Sequence, residues 1–158
     1  MSSDEKWVSK AEKAREWFRQ GANCAQAVVL AFEDEVGIDA KTLARMASGF
    51  GAGMGRLREV CGAVSGMVLT ANLLWGSSEI PDKEGRETQY ARIQTLVERF
   101  REETGSIVCR ELLGLEKKPQ ESLFGEVHLE TLPKRPCVEM TALAAKILET
   151  YLRVKEID

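Results

Sequence analysis

Imidazole is almost missing from this chain, which has the single histidine His128. That scarcity excludes the His-Glu-x-x-His zinc arrangement and leaves a Ser-His-Asp triad without support, because His128 falls in a polar stretch where a histidine is ordinarily plain surface. Proline is sparse too, with four in 158 residues, and together with 13 glycines it is too rare for a collagen-like or low-complexity chain. No block of one charge sign occurs. Lys and Arg number 22 against 25 Asp and Glu, a net charge of -3 with both signs interspersed, which argues against a nucleic-acid partner. A membrane span is also unsupported: the longest uncharged stretch, Val60 to Ser78, has 19 residues and carries Ser65, Thr70, Asn72 and three glycines. A span needs roughly 20 predominantly apolar residues. The amino end opens on charges with no apolar signal-peptide core, so cytoplasm is the expected compartment.

What is present is material for one helical domain. Apolar residues make up 44% of a 17.6 kDa chain, enough to bury a core without staples, and no linker or fixed-period repeat divides it, so residues 1–158 are read as a single domain. Trp7, Ala11, Ala14 and Phe18 recur at helical spacing and predict a first helix over about Asp4 to Gln20, ended by Gly21. Asn23 is placed to cap a second helix reaching Val36 and closed by Gly37; Asp39 is placed to cap a third through Ala47. Gly49 to Gly55 has glycine at every second position, which makes a loop. Val60, Val64, Met67, Val68, Ala71 and Leu74 then predict a long, central, buried helix ending near Gly76. After a loop over Ser77 to Gly85, the residues Tyr90, Ile93, Leu96, Val97 and Phe100 mark an amphipathic helix closed at Thr104-Gly105. Ser106 is placed to cap a short segment, Ile107 to Leu113, and Leu115 to Pro136 reads as a long loop. A last helix runs from Cys137 to about Lys155, with Met140, Leu143, Ala144, Ile147, Leu148 and Tyr151 inward. The reading is all-α, with six or seven helices and no strand.

The glycine run does not make a phosphate cradle. A G-x-G-x-x-G beginning at Gly49, Gly51 or Gly53 meets Met54, Arg56 or Arg58 where its third glycine belongs, and no Gly-Lys-Ser/Thr follows. The cysteines carry more. They stand at positions 24, 61, 109 and 137, separated by 36, 47 and 27 residues, so no C-x-x-C motif of the thioredoxin or zinc-ribbon kind exists. All four fall at or near predicted helix starts, where unpaired N–H groups and the positive end of the helix dipole favour a thiolate. Arg56 and Arg58 precede Cys61, and Arg110 adjoins Cys109, each a candidate stabiliser of negative sulfur. The bland alternative is that free cysteines are small buried hydrophobes.

Cys61-Gly62-Ala63-Val64-Ser65-Gly66 resembles the central element of the C_GCAxxG_C_C family, small four-cysteine proteins described as redox-active. Cys24 in Asn-Cys-Ala-Gln-Ala matches the early cysteine of that pattern, Cys109 in Cys-Arg-Glu-Leu-Leu-Gly the third and Cys137 in Pro-Cys the fourth. The family name writes Gly-Cys-Ala where this chain has Cys61-Gly62-Ala63. The resemblance extends to the four-cysteine part of split-Soret cytochromes and so implies an iron-sulfur site. No C-x-x-C-H is present, so covalent haem is not implied.

Three functions follow as expectations. The first is an electron-transfer module in which Cys24, Cys61, Cys109 and Cys137 hold one iron-sulfur cluster. The second is a thiol-disulfide oxidoreductase using a reversible disulfide, with Cys61 as the nucleophile on the premise that it is the most acidic and exposed thiol. The third is structural, either a zinc held by the same four cysteines or a helical interaction domain with no site. The expected partner is a redox partner, unidentified by sequence, and the apolar faces of the first and last helices could also serve a homodimer. In every metal reading the four sulfurs must lie in one neighbourhood.

Overall fold

Ser9, Asn23, Asp39 and Asp82 each accept, on a side-chain oxygen, the backbone N–H three residues on, and each thereby starts a helix. The computed structural model describes residues 8–115 and 137–157, and in them the chain forms eight helices. These are α1 (Lys10–Arg19), α2 (Cys24–Leu30), α3 (Glu33–Val36), α4 (Ala40–Ala47), α5 (Gly62–Trp75), α6 (Lys83–Thr104), α7 (Cys109–Leu112) and α8 (Cys137–Ile157). Ser48–Phe50 is one turn of 3₁₀ helix, and Gly51–Met54 is a further turn whose Ala52 and Gly53 are left-handed. Among the described residues the only ladder pairing is an isolated antiparallel bridge between Val60 and Val108. The all-α expectation holds.

Several boundaries differ from the sequence reading for visible reasons. The second helix divides: the Phe32 N–H bonds back three residues to the Val29 carbonyl, Phe32 leaves helical geometry (φ -109°, ψ 18°) and is fully buried, and α3 restarts after it. Gly37 and Gly105 close α3 and α6 in the left-handed conformation, as their glycines predict. α6 starts at Lys83, so the preceding loop is shorter than the expected Ser77 to Gly85. Tyr90, expected inward, is 55% exposed; Gln89 is buried instead and donates from Nε2 to Asn72 Oδ1 at 3.0 Å, while Leu96 and Phe100 are inward as expected. The Ser106 hydroxyl accepts the Val108 N–H and shapes the turn before α7, whose cap position is Val108. The first turn expected from Asp4, the long loop and His128 lie outside the described residues.

The helix predicted from Val60 is α5, which packs on α2, α6 and α8, while α8 also packs on α1 and α2. The shared core includes Val28, Phe32, Val64, Met67, Ala71, Leu96, Phe100, Ala144 and Leu148. α2 is even more enclosed than α5, with six of its seven residues buried against seven of fourteen, because α5 ends in the exposed Asn72 and the part-buried Leu73, Leu74 and Trp75. Among the described residues no helix is long and apolar enough to cross a membrane.

α2 and α5 meet at Gly66. A Cβ placed there would lie 2.6 Å from the Ala25 carbonyl oxygen and 3.0 Å from Val28 Cβ, so the crossing exists only because that position has no side chain. Gly66→Ala sets a helix-propensity gain of about 1 kcal/mol against an overpacking cost of about 1–3 kcal/mol borne by backbone. The variant is expected to unfold at lower denaturant than the wild type; a higher midpoint would show that the two helices are not in contact there.

Candidate functional site

Four helix starts meet at one cavity. Cys24 and Cys109 are the first residues of α2 and α7, Cys61 is the cap residue of α5, and Cys137 opens α8, so the placement at helix starts predicted for all four is observed. All four line a single cavity of about 310 Å³, together with Arg56, Arg58, Asn23, Ala52 and Gly62 and the apolar side chains of Phe18, Leu112, Leu113 and Met140. Cys24, Cys61 and Cys109 are buried, at 8%, 7% and 6% exposure, and Cys137 is the most accessible. All four are free thiols. Among the described residues no three His, Cys, Asp or Glu side chains surround a position that one metal ion could take.

The convergence depends on close backbone approach. A Cβ on Gly62 would overlap Cys24 Sγ, and one on Gly53 would lie 2.6 Å from both Arg58 Cα and Cys109 Cβ. Gly51 stands against the Asn23 side chain, where a Cβ would fall 2.6 Å from its amide. Asn23 thus serves twice. Its Oδ1 and the Gln26 side chain form a reciprocal cap on α2, and its Nδ2 donates to the Ser48 carbonyl at 3.0 Å, tying the start of α2 to the glycine segment.

That segment departs from anything the alternating glycines predict beyond a loop. Ala52, Gly53, Met54, Gly55 and Arg56 are five successive residues with φ between 54° and 71°, and Arg58 follows at 59°. For each residue bearing a Cβ the left-handed conformation costs roughly 1–2 kcal/mol. Backbone bonds from both flanks hold it: Glu59 N–H to the Gly53 carbonyl (2.9 Å), Cys109 N–H to the Glu59 carbonyl (2.6 Å) and Cys61 N–H to the Ile107 carbonyl (2.7 Å). Through these bonds the cysteines of α5 and α7 are fastened to each other.

The thiolate expectation is corrected by burial. Desolvation is the largest influence on each of the four thiols and raises all of them. At Cys24 the backbone N–H groups of Ala52, Ala25, Cys24 and Gly62 oppose it, and at Cys61 those of Ala63 and Val64 do, without overcoming it. Cys137 is pushed up to about 12, by burial and then by the neighbouring Cys24 and Cys109 sulfurs. Cys61, expected as the exposed and acidic nucleophile, is a buried thiol whose titration is raised by burial and by Cys24. Of the three arginines, Arg58 is 4% exposed with Nη1 3.9 Å from Cys109 Sγ, rather than beside Cys61. Arg56 lines the cavity, and Arg110 turns to Glu59 at 3.0 Å and to the Arg58 carbonyl at 3.3 Å.

Residues 22–151 match the family model C_GCAxxG_C_C, which bears the description "Putative redox-active protein". No curated protein and no solved structure matches the chain.

Two tests follow from this geometry. Gly53→Ala is expected to cost at least about 2 kcal/mol, since it adds overpacking against backbone to left-handed strain, whereas Gly49→Ala, with nothing within 4 Å, is expected to be tolerated. Equal denaturation midpoints for the two variants would contradict the packing described. The raised thiols also set a pH dependence for the metal-free protein. An unfolded cysteine titrates near about 8.5, and the folded ones higher, so above that pH the unfolded chain releases protons that the folded chain retains. Tm measured under reducing conditions should therefore fall as pH rises above about 8.5, where the unfolded thiols begin to titrate; a flat or rising Tm over that range would refute it.

Proposed function

The chain belongs to the C_GCAxxG_C_C family, and from the meeting of Cys24, Cys61, Cys109 and Cys137 in one cavity we propose that it carries electrons on an iron-sulfur cluster held by those four sulfurs. The donor chemistry fits: four thiolates are the usual complete ligand set of such a cluster. The arrangement fits as well. A single zinc needs four ligands about 2.3 Å from one centre, whereas four thiolates around a cluster would enclose a larger body of iron and sulfide. All four cysteines border one cavity of about 310 Å³, and that shared lining is what supports the reading.

A bound cluster supplies outer-sphere uptake and release of one electron. The protein's part is to hold, shield and compensate. Cys24, Cys61, Cys109 and Cys137 give up their protons on loading, which makes binding release protons and favours it at higher pH. Phe18, Leu112, Leu113 and Met140 present apolar wall to the sulfurs and keep the local dielectric low. Backbone N–H groups from Ala52 and Gly62 serve the Cys24 sulfur, and those of Ala63 and Val64 serve Cys61.

The same burial counts against the thiol-disulfide reading. The thiolate is the attacking species in exchange, and these thiols are held protonated and largely out of reach in the metal-free protein. A ligand role has no such conflict, because an incoming metal displaces the proton itself.

The test is anaerobic purification or reconstitution with ferrous iron and sulfide. Wild-type protein is expected to be brown, to hold acid-labile sulfide and to show charge-transfer absorption. Serine at Cys24, Cys61 or Cys109 is expected to reduce iron retention by more than tenfold. A colourless protein with four alkylatable thiols after reconstitution would overturn the reading, as would chelator-released zinc or a reversible disulfide at full occupancy.

A further inference from the structure

The sulfurs of this cavity do not share one kind of electrostatic support. Cys24 and Cys61 are served by backbone N–H groups, whereas Cys109 faces the side chain of Arg58. That guanidinium is inside the site: Arg58 is 4% exposed, it lines the cavity, and its Nη1 lies 3.9 Å from Cys109 Sγ, at the outer limit of a contact to sulfur. Cys137 lines the same cavity as Arg58, and there the arginine's charge opposes the effect of burial.

The position of Arg58 is set by backbone rather than by side-chain choice. Its carbonyl takes the Arg110 N–H at 3.2 Å and the Arg110 Nη1 at 3.3 Å. The next residue, Glu59, donates its N–H to the Gly53 carbonyl and accepts the Cys109 N–H. Gly53 lies so close to Arg58 Cα that a Cβ there would clash, and Arg58 itself is left-handed. A strained residue clamped on both sides carries the charge to the sulfur.

We propose that Arg58 is the charge-compensating residue of the four-cysteine site, its guanidinium offsetting thiolate charge at Cys109 and Cys137 and thereby raising the reduction potential of the group they hold. The inference rests on the cluster reading above. Reduction adds one electron, supplied by an external one-electron reductant such as dithionite, to the group on the sulfurs; no bond to the protein breaks and no proton is required. The added negative charge is stabilised by a fixed positive one nearby, so removing Arg58 disfavours the reduced state.

The experiment compares reconstituted wild type with Arg58→Gln, Arg58→Met and Arg58→Lys, reading iron and sulfide content and the midpoint potential by redox titration. The neutral variants are expected to be harder to reduce by at least tenfold in the equilibrium constant, about 59 mV lower for one electron, with Arg58→Lys close to wild type. Should Gln and Met both lose iron while Lys retains it at the wild-type potential, charge rather than bulk holds the site, as the inference requires. Loaded neutral variants with an unmoved potential would overturn it, as would equal loss of iron in all three. Wild-type protein that takes up no iron and sulfide overturns the reading beneath it and the inference together.

Discussion

Four sulfurs buried around one cavity are the constraint on which the rest of the structure depends. Burial raises the titration of each, outweighing backbone N–H groups at Cys24 and Cys61 and the charge of Arg58 at Cys109 and Cys137. Such a set is poorly nucleophilic until something replaces its protons. A soft, positively charged partner does that directly, which is why the same burial that weakens the cysteines as nucleophiles suits them as ligands.

Bringing the sulfurs together requires backbones closer than side chains allow. Gly66 lets α5 cross α2, Gly62 leaves room for Cys24 Sγ, and Gly53 lets the loop lie on Arg58 and Cys109. The left-handed run from Ala52 to Arg56, with Arg58 beyond it, is the strained part of this arrangement. Strain of that kind persists only where surrounding structure holds it, and here the bonds of Glu59, Cys61 and Cys109 do so. The fold spends its strain beside the cavity. Elsewhere, side-chain caps, buried apolar contacts and ion pairs hold the helices, as with the Lys10 to Glu35 pair at 2.6 Å that ties α1 to α3.

Much of the fold was legible because helices announce their ends. Asn23, Asp39, Gly37 and Gly105 act where their chemistry places them. The break at Phe32 was not legible, since Val28 to Phe32 is continuously apolar and no glycine or proline marks the turn. The inward face of α6 shifts by a residue, from Tyr90 to Gln89, because a hydrogen bond to Asn72 rewards burying the amide and period alone cannot see that bond. The meeting of the four cysteines could be anticipated from their common placement at helix starts. Their protonation could not, because burial is a tertiary property. Arg58 was visible as a basic residue near Cys61, but its left-handed backbone has no signal at a non-glycine position, and it is this backbone that directs the side chain to Cys109.

In this reading the four cysteines act as one ligand set. Anomalous diffraction at the iron edge, on crystals of anaerobically reconstituted protein, tests it most directly. Iron is expected in the cavity between α2, α5, α7 and α8, with Cys24, Cys61, Cys109 and Cys137 each bonded to it through sulfur. Iron bound elsewhere, or a cavity whose cysteines remain free thiols or pair as a disulfide, would contradict it.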